Sequence, residues 1–390
     1  MNSSWPSPSL RRPRVRHLTL RDFRSYATLD LPIEGRCVVF VGENGVGKTN
    51  LLEAISLFAP GRGLRRAELG AMARHEGSGG FVVSAQVGDD DIHRLGVGYD
   101  REASNEPQRK LRVDGGPAPS AQAFSEHLRV IWLTPAMDGL FVGPASERRR
   151  FLDRLVLTID PTHGARVGQF ERALRGRNKL LEEGSRRDAR RSAWLDAIER
   201  EAAELGAAIA AARAETVSRL ADIVMRGRDG VSPFAWPMIA LHGEFDTAIR
   251  GLSSLDAEEV YRAGLAAGRE RDAAAGRTLM GPHTVDLLVR HGPKDVAAQE
   301  CSTGEQKALL VSLVLAHARL VGDMTGMAPV TLLDELAAHF DPRRRRALFE
   351  ILLELGAQVL MTGADASAFA DLGERARIYD MTPGQVAALA

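Results

Sequence analysis

The chain has 390 residues, of which 44% are hydrophobic and 26% are charged, and its formal net charge at pH 7 is zero. This length and apolar content argue against a disordered chain and suffice for one large domain or two closely joined domains. Because the net charge is zero, attraction of the whole molecule to nucleic acid is not indicated, and any contact with DNA must come from local basic patches.

Further classes of protein are disfavoured by particular residue types. Cys37 and Cys301 are the only cysteines, too few for a disulfide framework or a cysteine-rich zinc site, and the histidines show no H-E-x-x-H spacing. No run of 18 apolar residues predicts a membrane span, and the first 17 residues lack the apolar segment of a secretory signal. We therefore expect a cytoplasmic protein without a membrane partner, and we predict a disordered basic tail over residues 1–15.

The first element with a chemical signature is a predicted buried strand over residues 36–41, followed by a glycine-rich turn and a helix. The turn fits G-x-x-x-x-G-K-[ST], a phosphate-binding loop whose backbone N–H groups converge on phosphate oxygens. Lys48 is expected to reach the β- and γ-phosphates of ATP, and Thr49 to take one position on Mg²⁺. The alternative is a turn that merely joins strand to helix, and the strand–turn–helix order favours nucleotide binding. The predicted loop comprises Gly42, Glu43, Asn44, Gly45, Val46, Gly47, Lys48 and Thr49.

A long helix is predicted further along the chain. Small or apolar residues recur three or four positions apart from Leu195 to Ile223, which predicts a helix of roughly 30 residues, or about 45 Å. Only about four heptads are present, so a helical core element is favoured over a dimerising coiled coil. We interpret residues 145–280 as an inserted, mainly helical lobe.

A second helix with a polar, glycine-containing start is predicted to begin near Ser302 or Thr303. The N-terminus of such a helix can bind an anion, and Ser302, Thr303 and Gly304 are the residues that would contact phosphate there. The alternative is an ordinary N-cap with Glu305 and Gln306 in the first turn.

Residues 330–335 predict an apolar strand that ends in two adjacent carboxylates, the pattern of a Walker B motif. Asp334 is expected to hold Mg²⁺ through its shell, and Glu335 to orient or deprotonate the attacking water. A strand ending in a solvated acidic turn is the alternative for an isolated Asp-Glu pair, and the upstream phosphate-binding loop favours the catalytic interpretation. A further strand is predicted over residues 357–363.

The order of these motifs resembles that of ABC-type ATPase heads, and several stretches resemble the RecF family. The chain departs from the usual pattern after Met361, where Thr362 and Gly363 stand in place of a switch histidine. The stretches that carry the resemblance are LTLRDFRSYATLDL at 18–31, GRGLRRAEL at 61–69, SERRRFLDRL at 146–155, RGRNKLLEEG at 175–184 and GPHTVDLLV at 281–289.

The resemblance implies an α/β fold, an ABC-type ATPase head formed by residues 16–144 and 281–390 and interrupted by the helical lobe. In such a head, ATP·Mg²⁺ on Lys48 of one subunit is closed by Ser302 of a second, so that ATP joins a homodimer. The catalytic residues implied are Glu335, Lys48 and Ser302.

The resemblance also implies the cellular role. The dimer would bind double-stranded and gapped DNA or stalled replication forks, cooperate with RecR and RecO, assist recombinase loading, and hydrolyse ATP slowly with stimulation by DNA. A non-enzymatic, nucleotide-gated DNA clamp and a transporter-type ATPase subunit are the alternatives.

Arginine clusters are the candidate DNA contacts, because the planar guanidinium suits phosphate. Any single cluster is more typical of a solvated face. We predict that Arg62, Arg65 and Arg66, which follow the first helix of the nucleotide site, line a DNA-binding surface completed by dimerisation.

Overall fold

The chain divides into two compact units in a computed structural model that describes residues 10–100, 109–182, 189–228, 233–336 and 340–389. The predicted inserted lobe, residues 145–280, falls largely in the second unit, which extends further at both ends and is interrupted by a short stretch of the first. The first unit comprises Met1–Asp138, Arg226–Trp236 and Ser302–Ala390, and the second comprises Gly139–Met225 and Pro237–Cys301.

The elements are numbered in chain order. The strands are β1 (Arg14–Phe23), β2 (Tyr26–Pro32), β3 (Cys37–Val41), β4 (Phe81–Gly88), β5 (Ile92–Tyr99), β6 (Lys110–Val113), β7 (Gly116–Pro117), β8 (Val130–Leu133), β9 (Pro237–His242), β10 (Asp286–His291), β11 (Val296–Ala297), β12 (Val330–Leu333), β13 (Val359–Gly363), β14 (Arg377–Thr382) and β15 (Gln385–Ala388). The α-helices are α1 (Lys48–Ser56), α2 (Leu69–Met72), α3 (Ala145–Ile159), α4 (His163–Glu182), α5 (Ala189–Gly227), α6 (Glu244–Ile249), α7 (Ser254–Ala267), α8 (Arg269–Ala275), α9 (Thr303–Thr325) and α10 (Pro342–Leu355). Short 3₁₀ helices cover Ala121–Glu126, Pro135–Met137, Gly292–Lys294, Ala298–Glu300 and Ala366–Arg375.

A mostly parallel sheet in the first unit positions the predicted nucleotide motifs. Its described strands run in the order β15-β14-β3-β13-β12-β8, and all neighbours except β15 pair in parallel. β3, β12 and β13 are buried along their whole length, as is typical of strands covered on both faces. The register pairs Gly363 with Val41 and Met361 with Leu333, so the carboxyl ends of the three strands meet at one edge.

An antiparallel sheet in the order β2-β1-β4-β5-β6-β7 forms the other layer of the first unit. α1 lies in the core shared by the two sheets, and its Leu51, Leu52 and Ile55 belong to one buried cluster with residues of both. Because these three side chains recur at helical spacing, burying one face of α1 fixes the direction in which its first turn points.

The last residues of the predicted disordered tail are ordered in the structure. Residues 1–9 lie outside the described residues, but the backbone N–H of Arg11 donates to the Gly326 carbonyl at 3.0 Å. β1 then begins at Arg14 and pairs with β4, with Val15 in the core. Strand pairing therefore orders residues for which the prediction was disorder.

The second unit is mainly helical and also contains the small antiparallel sheet β11-β10-β9. Phe170, Phe245 and Tyr261 are among the residues of its core. α5 has 39 residues, about 58 Å, and is longer than the predicted helix. A buried arginine, Arg177, bonds to Glu199 and Asp272 at 2.9 and 2.7 Å, so the unit encloses a paired charge network.

One helix of the described chain, α9, is long and apolar enough to span a membrane by length and composition. Most of its apolar stretch is buried inside the protein, an arrangement also found in core helices.

Candidate nucleotide-binding site

The loop between β3 and α1 has the backbone shape of a phosphate cradle. Gly42 and Gly47 have φ angles of 152° and 110°, in the region that favours glycine. A Cβ atom at Gly47 would lie 2.7 Å from the Tyr26 hydroxyl, and one at Gly42 would lie 2.5 Å from the Met381 carbonyl. Side chains at these positions would clash, so the glycines of the motif are required by the fold itself.

Lys48 begins α1, and only 4% of it is exposed. Its ammonium donates to the carbonyls of Gly42 and Glu43 at 2.6 and 2.9 Å and approaches the Asn44 side-chain oxygen at 3.5 Å. These three acceptors are uncharged. The cation is therefore held over the loop by neutral groups and can compensate the charge of a bound phosphate.

Thr49 and Asp334 meet although 285 residues separate them. The Thr49 hydroxyl lies 3.0 Å from both carboxylate oxygens of Asp334, which follows β12 and is 6% exposed. Because a carboxylate only accepts, the Thr49 proton points toward Asp334 and the oxygen lone pairs are left for a cation. Hydroxyl and carboxylate oxygens are the ligands that Mg²⁺ prefers, so this pair fits a magnesium ion.

Glu335 comes directly after Asp334 and is partly exposed. Its φ of 51° places a non-glycine residue in the left-handed region, where a side chain is strained. Its backbone N–H donates to the Thr362 hydroxyl at 2.9 Å. The two Walker B residues therefore differ in environment, since Asp334 is buried against Thr49 and Glu335 is partly exposed.

The predicted anion-binding helix start forms a capping box. Ser302 precedes α9 and accepts from the Glu305 N–H at 3.4 Å, while the Ser302 N–H donates to the Glu305 carboxylate at 3.0 Å. The ordinary N-cap, which the sequence left open as the alternative, is therefore present. Ser302, Thr303 and Gly304 are all exposed, and their contact with phosphate in a dimer stays a prediction.

The turn between β1 and β2 also contacts the phosphate-binding loop, which the sequence motifs did not predict. The Tyr26 hydroxyl donates to the Gly47 carbonyl at 3.2 Å, and the Asn50 amide donates to the Ser25 hydroxyl at 2.9 Å. Burial raises the pKa of Tyr26, so it stays a neutral donor. The sequence of this hairpin turn contains no phosphate-binding motif. Its support of the loop is evident only from contacts with residues that lie far away in the sequence.

The three arginines predicted to contact DNA have different surroundings in the structure. Arg65 donates to the Asn50 side-chain oxygen at 2.7 Å and to Glu53 at 2.9 Å. Glu53 is fully buried and also accepts two bonds from Arg24, at 2.8 and 2.6 Å. Arg65 is thus a structural partner of α1, whereas the exposed residues Arg62 and Arg66 lie in the loop that follows that helix.

Comparison with known proteins decides the family. The model of the RecF/RecN/SMC N terminal domain matches residues 14–386. A DNA replication and repair protein RecF from Mesorhizobium japonicum is 53% identical over 95% of this chain and 97% of its own length, and one from Rhizobium meliloti is 54% identical over the same shares. The chain belongs to the RecF family.

Solved structures of RecF and of a more distant head share the fold. One described as the recombination mediator protein RecF-ATPrS in the RecFOR pathway has a TM-score of 0.85 at 22% identity, covering 98% of this chain and all of that one. An Smc head domain from Pyrococcus furiosus has a TM-score of 0.53 at 15% identity, covering 97% of this chain and 96% of that one. The predicted ABC-type ATPase head and the RecF resemblance are confirmed, and RecF membership argues against a transporter-type subunit.

Proposed function

We propose that this chain is an ATP-dependent DNA-binding repair protein that dimerises on ATP at gapped DNA or stalled forks. It assists recombinase loading and hydrolyses ATP slowly to release the DNA. The observation that carries this function is the meeting of the Lys48 loop, Thr49, Asp334 and Glu335 at the carboxyl ends of three parallel strands. Relatives that are named DNA replication and repair proteins support the repair role.

The residues of the site divide the work of nucleotide binding and hydrolysis. Lys48 and the N–H groups of its loop bind the β- and γ-phosphates. Thr49 and Asp334 would hold Mg²⁺, which would supply neutralising charge to the phosphate oxygens. Glu335, which is partly exposed, orients the attacking water and accepts its proton.

The second half of the site comes from a partner subunit. The exposed start of α9, with Ser302 at its N-cap, presents backbone N–H groups and the positive end of the helix dipole to an anion. An ATP bound by Lys48 of one copy would be covered by this helix start of the other. A solved relative described as RecF-ATP in the RecFOR pathway supports ATP as the ligand and RecR and RecO as partners.

The DNA contact would be coupled to the nucleotide through Arg65. This arginine bonds to both Asn50 and Glu53 on α1, the helix that begins with Lys48 and Thr49. Phosphates of duplex DNA at the Arg62–Arg66 loop would compete for its guanidinium and shift the first turn of α1. This coupling accounts for stimulation of hydrolysis by DNA.

A mass measurement tests ATP-dependent dimerisation. In light scattering, the wild-type protein should be a dimer with ATP and a monomer with ADP or without nucleotide. Glu335→Gln keeps the shape of the side chain but removes its charge, so ATP should still bind, hydrolysis should fall at least about 100-fold, and the dimer should persist. A wild-type protein whose mass is the same with and without ATP would contradict the proposed dimer. ATP hydrolysis that is absent with and without duplex DNA would favour the non-enzymatic clamp.

Mixing two inactive variants tests whether Ser302 acts across the dimer. Lys48→Met should bind ATP only weakly, and Ser302→Arg places bulk and charge at the helix start, so each should be inactive alone. In the heterodimer, the phosphate-binding loop of the Ser302→Arg subunit faces the intact Ser302 of the Lys48→Met subunit, which restores one composite site of two. Partial hydrolysis should return. Differently tagged subunits verify that heterodimers form. If these heterodimers are inactive, hydrolysis takes place within a single chain and Ser302 does not act across the dimer.

A further inference from the structure

The hydroxyl of Thr362 lies between the two Walker B residues. Thr362 is in β13, is 1% exposed, and follows Met361, which pairs with Leu333 of β12. Its oxygen is 2.7 Å from one carboxylate oxygen of Asp334 and 2.9 Å from the backbone nitrogen of Glu335. One side chain therefore contacts both acidic residues.

The direction of both hydrogen bonds is fixed by the groups that make them. The Glu335 N–H can only donate and a carboxylate can only accept, so the Thr362 hydroxyl accepts from Glu335 and donates to Asp334. The Thr362 hydroxyl proton therefore lies in the hydrogen bond to Asp334. Asp334 receives a second hydroxyl from Thr49, and the two bonds together fix the rotation of its carboxylate.

The backbone of Glu335 needs such support. Its left-handed φ of 51° is strained for a residue with a Cβ atom and persists only when surrounding contacts hold it. The bond from its N–H to Thr362 is a contact of this kind. Without it, the peptide between Asp334 and Glu335 could rotate, and the Glu335 carboxylate would point in another direction.

We propose that Thr362 is a positioning residue, which orients the Asp334 carboxylate toward Thr49 and holds the Glu335 backbone in the conformation needed for hydrolysis. This role presupposes the ATPase function proposed above. Thr362 acts through the two acidic residues and needs no contact with phosphate. It lies near the end of β13, at the position where the sequence offers no switch histidine.

Replacement of Thr362 by valine tests this role, because valine keeps the shape and removes both hydrogen bonds. With Thr362→Val, kcat should fall about 10- to 100-fold, the range typical when a partner of a metal ligand is removed, while the affinity for nucleotide without metal changes little. Thr362→Ser keeps the hydroxyl and should restore kcat to within a few-fold. Thr362→Ala makes the same deletion without the added methyl group if the valine variant does not fold.

Thr331 provides a matched control in the adjacent strand. It is fully buried in β12, and among the described residues its hydroxyl has no hydrogen-bond partner. Thr331→Val therefore removes a buried hydroxyl from the same sheet without breaking a bond. Its kcat and melting temperature should equal or exceed those of the wild type.

A binding measurement separates this role from the proposed ATPase function. Mn²⁺ is titrated in place of Mg²⁺ against protein with bound ADP, and its affinity is read by electron paramagnetic resonance. Thr362→Val should weaken Mn²⁺ binding about 10-fold and leave ADP affinity without metal unchanged. Equal kcat and equal Mn²⁺ affinity in Thr362→Val and wild type would overturn the role, as would a loss in Thr331→Val of the same size. A wild-type protein that binds Mn²⁺·ADP but hydrolyses no ATP would refute the ATPase function while the titration still decides the role of Thr362.

Discussion

The side chains of the candidate nucleotide site are held by neighbours that are themselves part of that site. The Lys48 ammonium rests on carbonyls of its own loop, and the Thr49 hydroxyl rests on Asp334. Glycine conformations permit the first contact, and the parallel register of the strands creates the second. Contacts within the protein therefore fix these side chains, and groups fixed in this way reduce the ordering that phosphate binding requires.

Lys48 carries the first prediction at this scale. Lys48→Met keeps the length of the side chain and removes its charge, so ATP affinity should fall at least about 100-fold, because hydrogen bonds to charged groups contribute about 1.5–3 kcal/mol each. Titration with a fluorescent ATP analogue measures the loss, and the melting temperature should stay close to that of the wild type. Lys179→Met, at an exposed position of α4, is the control and should bind ATP normally. Wild-type affinity in Lys48→Met would rule out the phosphate-binding loop.

At the scale of single elements, the spacing of apolar residues predicted the strands and helices whose formation depends on neighbouring residues in the sequence. The predicted strands over 36–41 and 357–363 correspond to β3 and β13, because continuous apolar runs fit a sheet buried on both faces. The helix from Leu195 to Ile223 was too short, since α5 continues through arginine and alanine, which favour helix without an apolar period. The contact of Arg24 with Glu53 could not be predicted, because a pair 29 residues apart leaves no periodic signal.

The N-terminus of α9 carries a prediction at the element scale. Ser302→Ala removes the side-chain cap from the Glu305 N–H and should cost about 1 kcal/mol of unfolding free energy, measured by urea denaturation. Ser302→Thr keeps the hydroxyl cap and should be near wild type. A Ser302→Ala protein as stable as the wild type would show that the capping box does not stabilise the helix. If Ser302→Thr is stable yet fails to dimerise with ATP, the position has a role beyond capping.

At the scale of the whole molecule, a neutral net charge requires that any DNA binding be local. The exposed arginines Arg62 and Arg66 lie on the loop after α1, in the same unit as the nucleotide site. The order of motifs along the chain predicted the ABC-type head, because Walker motifs far apart in sequence must meet in one sheet. The return of residues 226–236 to the first unit was not predicted, because glycine and proline after the long helix indicate where it ends but not which unit the next residues join.

Replacing the loop arginines tests the DNA surface. Each of Arg62→Ala, Arg65→Ala and Arg66→Ala should weaken duplex binding, and the slope of log affinity against log salt should flatten by about one unit per lost phosphate contact. Fluorescence anisotropy at several salt concentrations measures the slope. Because Arg65 also bonds Glu53, the double variant Arg62→Ala/Arg66→Ala isolates the contact with DNA from the support of α1. If the slope is unchanged in the variant with all three replacements, the arginine cluster is a solvated face and not a DNA contact.

The position of β3 has a consequence for protein synthesis. Both strands that flank β3 come late in the chain, β13 from residues 359–363 and β14 from residues 377–382. During translation, β3 therefore cannot pair with either neighbour until more than 300 further residues have been synthesised. Asp334, the partner of Thr49, is likewise translated 285 residues after it. A translation product that ends before Asp334 lacks the partner of Thr49 and both neighbours of β3, so under the proposed function ATP would stabilise finished chains and not such fragments.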